Sequence, residues 1–144
     1  MSNSETLTYV EQLQAIQEDI RKELTTLERS TLLLQTDNAR WNTVRRVVLR
    51  FGDHLREHTT QLIAAREDIG DRQTMPQRML AQAEESYGRL MGSLIGLDDE
   101  SLDRAPEPGE WSPRQILEHM VQVQELYLGL IRNALVAGIA VDKD

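Results

Sequence analysis

The sequence contains no cysteine among its 144 residues. This absence excludes disulfides, iron–sulfur clusters, thiolate metal sites and a cysteine nucleophile, because all of them need a thiol or a thiolate. Any metal ion that the side chains bind must therefore have nitrogen and oxygen ligands. Aromatic residues make up only 4% of the chain, so we expect a core of aliphatic and methionine side chains.

The sequence also lacks a long apolar run and a signal peptide. Its longest apolar stretch, ALVAGIAV near the C-terminus, is far shorter than the ~20 residues of a membrane-spanning helix. The N-terminal MSNSETLTYVEQ has neither a basic start nor an apolar segment. These features predict a soluble, cytoplasmic protein with no membrane partner. The net charge of −8 argues against a nucleic-acid partner, since phosphate binding needs a basic surface.

Proline and glycine are too few for a disordered or fibrous chain, and apolar residues recur every three or four positions almost throughout. This period predicts four amphipathic helices, at about residues 5–34, 43–69, 76–95 and from 112 onward. Without strand signals, such helices indicate an all-α four-helix bundle. We predict one domain over residues 1–144, with one helical hairpin at about 5–70 and a second at about 71–140.

The fourth helix has a strong start signal. Ser112 is a suitable N-cap, Pro113 suits the first helical position, and Gln115 completes a capping box. Gly70 is a plausible stop for the second helix. On the third helix, Gly88, Gly92 and Gly96 lie at four-residue steps. This spacing favours tight helix packing within the bundle, and the alternative is a dimer interface.

The segments WNTVRRVVLRF and WSPRQILEHM share a Trp, a capping residue, an Arg and two aliphatic residues. Thr43 matches Ser112 if one residue is skipped after Trp41. We interpret this match as a pseudo-twofold repeat of two αα-hairpins, and the alternative is two unrelated helix starts that share a Trp. Arg50 takes the repeat position of His119. Its side chain could bind an anionic substrate or simply reach solvent, which is the interpretation that we favour.

The chain has three histidines, and two of them, His54 and His58, lie four residues apart, on one face of a helix. Helical phase places His58 near the apolar stripe of the second helix and His54 on its flank. His119 lies on the flank of the apolar stripe of the fourth helix. Three neutral imidazoles could hold one divalent ion and leave positions open for water, as in catalytic sites. The spacing equally allows ordinary helix histidines that are hydrogen-bonded to carbonyl or carboxylate groups.

Two segments resemble the motifs of DinB-like (YfiT-like) proteins. PEPGEWSPRQILEHM resembles the family's Pro-Gly-x-Trp-Ser loop and the helix with one histidine that follows it. WNTVRRVVLRFGDHLREHTTQL resembles the family's His-x-x-x-His helix. The resemblance implies a four-helix bundle with a three-histidine metal site, in which His119 is the single histidine and His54 and His58 are the pair. The two motifs occur in the reverse of the family order, as if the hairpins were circularly permuted.

The resemblance implies a divalent metal cofactor, which could be nickel, zinc or iron, and a homodimer. It also implies a metalloenzyme, most concretely a transferase that joins a low-molecular-weight thiol such as bacillithiol or mycothiol to an electrophilic substrate. The alternative is a non-catalytic helical bundle that serves dimerisation or ligand binding. We find no Ser-His-Asp order, phosphate loop or paired carboxylates, so the catalytic residues stay unknown at this point.

Overall fold

A computed structural model describes residues 4–141 of the chain. It contains four α-helices: α1 (Glu5–Leu24), α2 (Val44–Asp68), α3 (Met75–Ser93) and α4 (Pro113–Ala137). Two short 3-10 helices lie between them: η1 (Arg29–Leu33) and η2 (Asp99–Ser101). No strand occurs within these residues. The all-α prediction is therefore confirmed, and the number and length of the helices agree with a four-helix bundle.

The described part of the chain forms two compact units, with the boundary after Gly96. The first unit contains α1, η1, α2 and α3, and the second contains η2 and α4. The single domain and the division into hairpins near residue 70 stay predictions. Among the described helices, none is long and apolar enough to cross a membrane.

The ends of α2 and α4 confirm the capping signals in the sequence. Ser112 Oγ accepts a hydrogen bond from the Gln115 backbone N–H at 3.3 Å, and Gln115 Oε1 accepts one from the Ser112 N–H at 2.9 Å. This reciprocal capping box satisfies two backbone donors at the start of α4. After α2, Gly70 has a φ of 77°, and after α4, Gly138 has a φ of 63°. Both glycines take the left-handed conformation that ends many helices.

The first helix is shorter than the sequence predicts, because α1 ends at Leu24 rather than near residue 34. The Thr25 hydroxyl donates a hydrogen bond to the Arg21 carbonyl, and Thr26 follows it. Two consecutive β-branched residues have low helix propensity, and a threonine hydroxyl that bonds to the backbone weakens the helix further. The apolar pattern beyond this point belongs to η1 instead.

The segment between η1 and α2 is held by side-chain bonds. Asn38 Oδ1 accepts hydrogen bonds from the backbone N–H groups of Arg40 and Trp41, each at 3.0 Å. The Thr36 hydroxyl donates to the Trp41 carbonyl at 2.5 Å. An isolated β-bridge between Gln35 and Thr43 closes the segment. These bonds fix Trp41 just ahead of α2.

The described residues do not form the aliphatic core that the sequence predicts, because no hydrophobic side chain among them is fully buried. The most buried side chain is that of Ser112, which is 7% exposed. In the first unit, the closest association between elements is that of α2 with η1. The apolar stripes of α1, α2 and α3 border an open cavity instead of packing tightly against one another.

Candidate functional site

The paired histidines of α2 are adjacent in space. The ring centroids of His54 and His58 lie 4.3 Å apart, and the ring planes meet at 69°. Both residues are exposed to solvent. One turn of α2 thus places two imidazoles side by side, edge to face, where ring nitrogens from both can approach a single ion.

A neighbouring amide orients the second imidazole of the pair. His58 Nδ1 lies 2.8 Å from Gln61 Oε1. Because an amide oxygen only accepts hydrogen bonds, this contact places the proton of neutral His58 on Nδ1. Nε2 then carries the lone pair and is the atom available to a metal ion. Such partners of metal-binding histidines fix both the tautomer and the orientation of the ring.

An ion pair lies along the same helix. Arg50 Nη2 donates to Glu57 Oε2 at 2.8 Å. This hydrogen bond, and then the charge of Arg50, hold the pKa of the Glu57 carboxyl below its usual range. The charges of His58 and His54 lower the pKa of Glu57 further when these rings are protonated. Glu57 is therefore anionic near the histidine pair at neutral pH.

We expect the substitution Arg50→Gln to raise the pKa of Glu57 toward the ordinary glutamate value. A lowered carboxyl pKa stabilises the folded chain above the usual glutamate range, and this contribution is lost as the pH falls through the lowered value. NMR titration of the Glu57 carboxyl carbon measures the shift. Arg56→Gln, which removes the neighbouring contact between Arg56 and Asp53, is the matched control and should leave Glu57 unchanged. An unaltered Glu57 titration in Arg50→Gln would contradict the assignment.

In the second unit, His119 lies against the tryptophan that precedes α4. The ring centroids of Trp111 and His119 are 5.0 Å apart, and the planes meet at 68°. Both residues are exposed. The contact thus places the Trp111 ring edge to face against the imidazole that the sequence predicts as a metal ligand.

The start of α4 is tied to the acidic segment before it by Arg114. Its guanidinium contacts both carboxylate oxygens of Asp103, with Nε–Oδ1 at 2.6 Å and Nη2–Oδ2 at 3.0 Å. The Arg114 backbone N–H also donates to the Leu102 carbonyl at 2.8 Å. The ion pair lowers the pKa of Asp103 and raises that of Arg114. This two-point contact could not be predicted from the sequence, since its partners are eleven residues apart and follow no helical spacing.

The two tryptophans make similar contacts in the two units. The Arg50 guanidinium lies 5.9 Å from the centroid of the Trp41 ring, and the His119 ring lies 5.0 Å from that of Trp111. In each case a tryptophan ahead of a helix approaches a side chain about two turns into that helix. The sequence repeat pairs Arg50 with His119, and these contacts agree with that pairing.

A cavity of about 1030 Å³ lies among α1, α2 and α3, within the first unit, and is open to solvent. Trp41, Arg50 and His54 contribute to its lining. Gly88 and Gly92 of α3 also line it, and a Cβ atom added at either glycine would meet nothing within 4 Å. The tight packing predicted at these glycines is therefore not found. The sequence gives no sign of the cavity, because it depends on the spacing of three helices.

The structure brings two of the three predicted metal ligands together. His54 and His58 form the pair on α2, while His119 belongs to the other unit. Among residues 4–141, no group of three or more histidine, aspartate or glutamate side chains is gathered as a metal site. The three-histidine site stays a prediction.

Comparison with known proteins gives a match to a family model. A family model described as the DinB superfamily matches residues 82–143, which is less than half of the chain. The matched part includes WSPRQILEHM with His119, whereas α2 with the histidine pair lies outside it. No curated protein and no solved structure matches the chain. The match supports the resemblance read from the motifs, and the permuted order stays a prediction.

Proposed function

We propose that the chain, whose residues 82–143 match the DinB superfamily model, binds one divalent metal ion through His54, His58 and His119. The observation that carries this proposal is the edge-to-face pair on α2, whose ring centroids are 4.3 Å apart. The Gln61 amide on His58 Nδ1 supports it, because it leaves Nε2 free to act as a ligand. Imidazole nitrogens suit nickel, zinc and iron alike, so the donor set leaves the metal open.

Two of the three proposed ligands are adjacent on α2, with ring centroids 4.3 Å apart. His54 and His58 are exposed, so an ion can reach them from solvent. The proposal requires the His119 imidazole, whose ring lies against Trp111, to bind the same ion as the third protein ligand. Three protein ligands leave further coordination positions open, as in catalytic sites.

We propose that the site serves a transferase that uses a low-molecular-weight thiol. A bound divalent ion would supply positive charge that favours the thiolate form of such a thiol. The sulfur would then form a bond to the electrophilic carbon of the second substrate, while the thiol proton goes to solvent and the leaving group takes its electron pair. The roles of the chain's own residues are to orient the rings: Gln61 keeps the proton of His58 on Nδ1, and Trp111 restricts His119.

We expect about one equivalent of divalent metal per chain in protein purified from cells supplied with nickel, zinc and iron, since the proposal involves one three-ligand site. Elemental analysis after extensive dialysis measures the content. An absence of stoichiometric metal under these conditions would contradict the metal site itself. Thiol-dependent turnover is measured next, with bacillithiol or mycothiol and 1-chloro-2,4-dinitrobenzene as the electrophile.

The second candidate is a non-catalytic bundle that acts in homodimerisation or ligand binding. The exposed apolar stripes favour this alternative, since large contiguous apolar surfaces mark interaction sites. Leu13 of α1 and Leu62 of α2 are each 61% exposed, for example. Bound metal without thiol-dependent turnover would favour this second function over the transferase.

A further inference from the structure

The cavity of the first unit is lined mainly by apolar side chains from α1, α2 and α3. Its volume is about 1030 Å³, and ligand sites usually occupy ~300–1,000 Å³. Leu13, Ile16 and Leu55 belong to the lining, and each of them is more than half exposed. A ligand that covers these side chains removes apolar surface from water, which is favourable. The lining therefore suits an apolar ligand.

Aromatic side chains are concentrated at this cavity. The chain has two tryptophans, three tyrosines and one phenylalanine, and three of these six residues line the cavity: Trp41, Phe51 and Tyr87. Met91 lines it as well, and a thioether makes favourable contacts with aromatic rings. Rings pair with other rings edge to face or offset, which contributes more than the burial of apolar area alone. This composition favours an aromatic ligand over an aliphatic one.

The charged side chains of the lining are compensated within the protein. They are Glu18, Arg21 and Arg50. Glu18 bonds to Arg21 on α1, and the Arg50 guanidinium bonds to Glu57 on α2. Each of these lining charges thus has an opposite charge at hydrogen-bond distance. An ionic ligand would give up its hydration and would have to compete with these pairs, which is costly. The cavity therefore favours a neutral ligand.

Hydrogen bonds hold the tryptophan of the cavity in place. The Trp41 backbone N–H donates to Asn38 Oδ1 at 3.0 Å, and the Trp41 carbonyl accepts a hydrogen bond from the Thr36 hydroxyl. The Arg40 guanidinium lies 5.1 Å from the centroid of the Trp41 ring, in the range of a cation–π contact. A residue that is already ordered loses little freedom when a ligand binds, which favours affinity. Trp41 is thus a preformed part of the cavity.

The cavity extends along α2 to the histidine pair. Val47, Phe51 and Leu55 line it at successive turns, and His54 lies beside Leu55 in the lining. His58, one turn further along α2, lies outside the lining. A ligand in the cavity can therefore contact the ring of His54, which is one of the proposed metal ligands.

We propose that the cavity binds the electrophilic substrate of the transferase, and that this substrate is a neutral aromatic compound. Its ring lies among Trp41, Phe51 and Tyr87, and its electrophilic carbon lies at the end of the cavity formed by His54. The role as substrate rests on the proposed function, because it requires the metal site and the thiol. The binding of a neutral aromatic ring does not, since it depends only on the residues that line the cavity.

The dye N-phenyl-1-naphthylamine is a suitable probe for the cavity, because it is neutral and aromatic and its fluorescence rises in an apolar environment. We expect saturable binding of one probe per chain, both in the protein as purified and after chelation of metals. Since the second measurement needs no metal ion, a failure of the metal site leaves its result unaffected. Conversely, a chain that holds one equivalent of metal but binds no probe would overturn this inference and leave the metal site standing.

The substitution Tyr87→Leu tests the aromatic character of the site. A leucine keeps the position apolar but removes a ring that lines the cavity. We expect it to weaken binding of the probe roughly two- to tenfold, because a contact between aromatic rings is lost. Tyr9→Leu is the matched control, since Tyr9 is an exposed tyrosine of α1 that lies outside the lining. Equal binding by Tyr87→Leu and the unaltered chain would overturn the assignment of an aromatic ligand.

The substitution Gly92→Leu tests whether the ligand occupies the cavity. Gly92 is helical, lines the cavity and has open space around it, so a leucine there fits and fills part of the cavity. We expect loss of probe binding, with helix content in circular dichroism and metal content both retained. Gly52→Leu on α2 is the control, since Gly52 is also helical and open but lies outside the lining. Unchanged binding by Gly92→Leu would overturn the proposal. So would a dimer that Gly92→Leu converts to monomer, because a second copy of the chain would then be the occupant.

Turnover tests the role of the ligand as a substrate. In Gly92→Leu the KM for 1-chloro-2,4-dinitrobenzene, a neutral aromatic electrophile, should rise severalfold. The KM for iodoacetamide, a small polar electrophile that needs no apolar site, should stay the same. Equal changes for the two electrophiles would overturn the proposal. An absence of turnover with either one would overturn the proposed transferase, whereas saturable binding of the probe would still establish the aromatic site.

Discussion

The substitution His58→Ala is expected to reduce the bound divalent metal from about one equivalent per chain to a trace. It removes one imidazole of the pair whose ring centroids are 4.3 Å apart. This is the imidazole whose Nδ1 contacts Gln61 and whose Nε2 is the proposed metal ligand. The loss in affinity should exceed the roughly 10–100-fold that removal of an outer-shell partner costs, because a direct ligand is lost. Metal titration against a competing chelator measures this change, and His54→Ala should have a similar effect.

Three further variants test whether the loss of metal in His58→Ala is due to the loss of a ligand. Thr59→Ala changes an exposed residue next to His58 and should leave the affinity for the metal ion unaltered. Gln61→Ala should give an intermediate loss of roughly 10–100-fold, since it removes only the partner that orients the ring. His119→Ala should match His58→Ala if the third ligand comes from α4. Full metal content in His58→Ala, with the helical circular dichroism unchanged, would exclude His58 as a ligand.

The parts of the fold that the sequence predicted well depend on local chemistry. The start of α4 follows from Ser112, Pro113 and Gln115, which lie within four residues, and the end of α2 follows from Gly70. Such capping signals act over a single turn, and distant residues do not alter them. The end of α1 was predicted wrongly because the apolar pattern continues past Thr25, although helix propensity falls there.

The candidate site shows the same division between local and distant effects. The spacing of His54 and His58 was sufficient to predict an adjacent pair, because one turn of helix fixes their distance. The environment of Arg50 could not be predicted in this way. The favoured interpretation was that this side chain reaches solvent, but it is half-buried beside a cavity that residues of α1 and α3 complete. That arrangement depends on three helices that are separate in the sequence.

The substitution Ser112→Ala is expected to destabilise α4, because Ser112 supplies the acceptor in its capping box. N-cap serine contributes roughly 0.5–2 kcal/mol, and typically about 1 kcal/mol. We expect a similar fall in the free energy of unfolding and a fall in melting temperature of roughly 3 °C per kcal/mol for a chain of this size. The alanine leaves the Gln115 N–H without its acceptor in a place where only 7% of Ser112 is exposed. Thermal unfolding followed by circular dichroism measures the change.

Two further substitutions separate the loss of the cap from other causes. Ser86→Ala in α3 removes a hydroxyl that donates to the Gln82 carbonyl at 3.1 Å within a helix, so its effect should stay within about 0.5 kcal/mol. Ser112→Asp keeps a side-chain acceptor at the N-cap and adds a negative charge at the helix N-terminus, so it should keep most of the stability. If Ser112→Asp were as unstable as Ser112→Ala, the limited space around residue 112 rather than the hydrogen bond would determine the stability of α4.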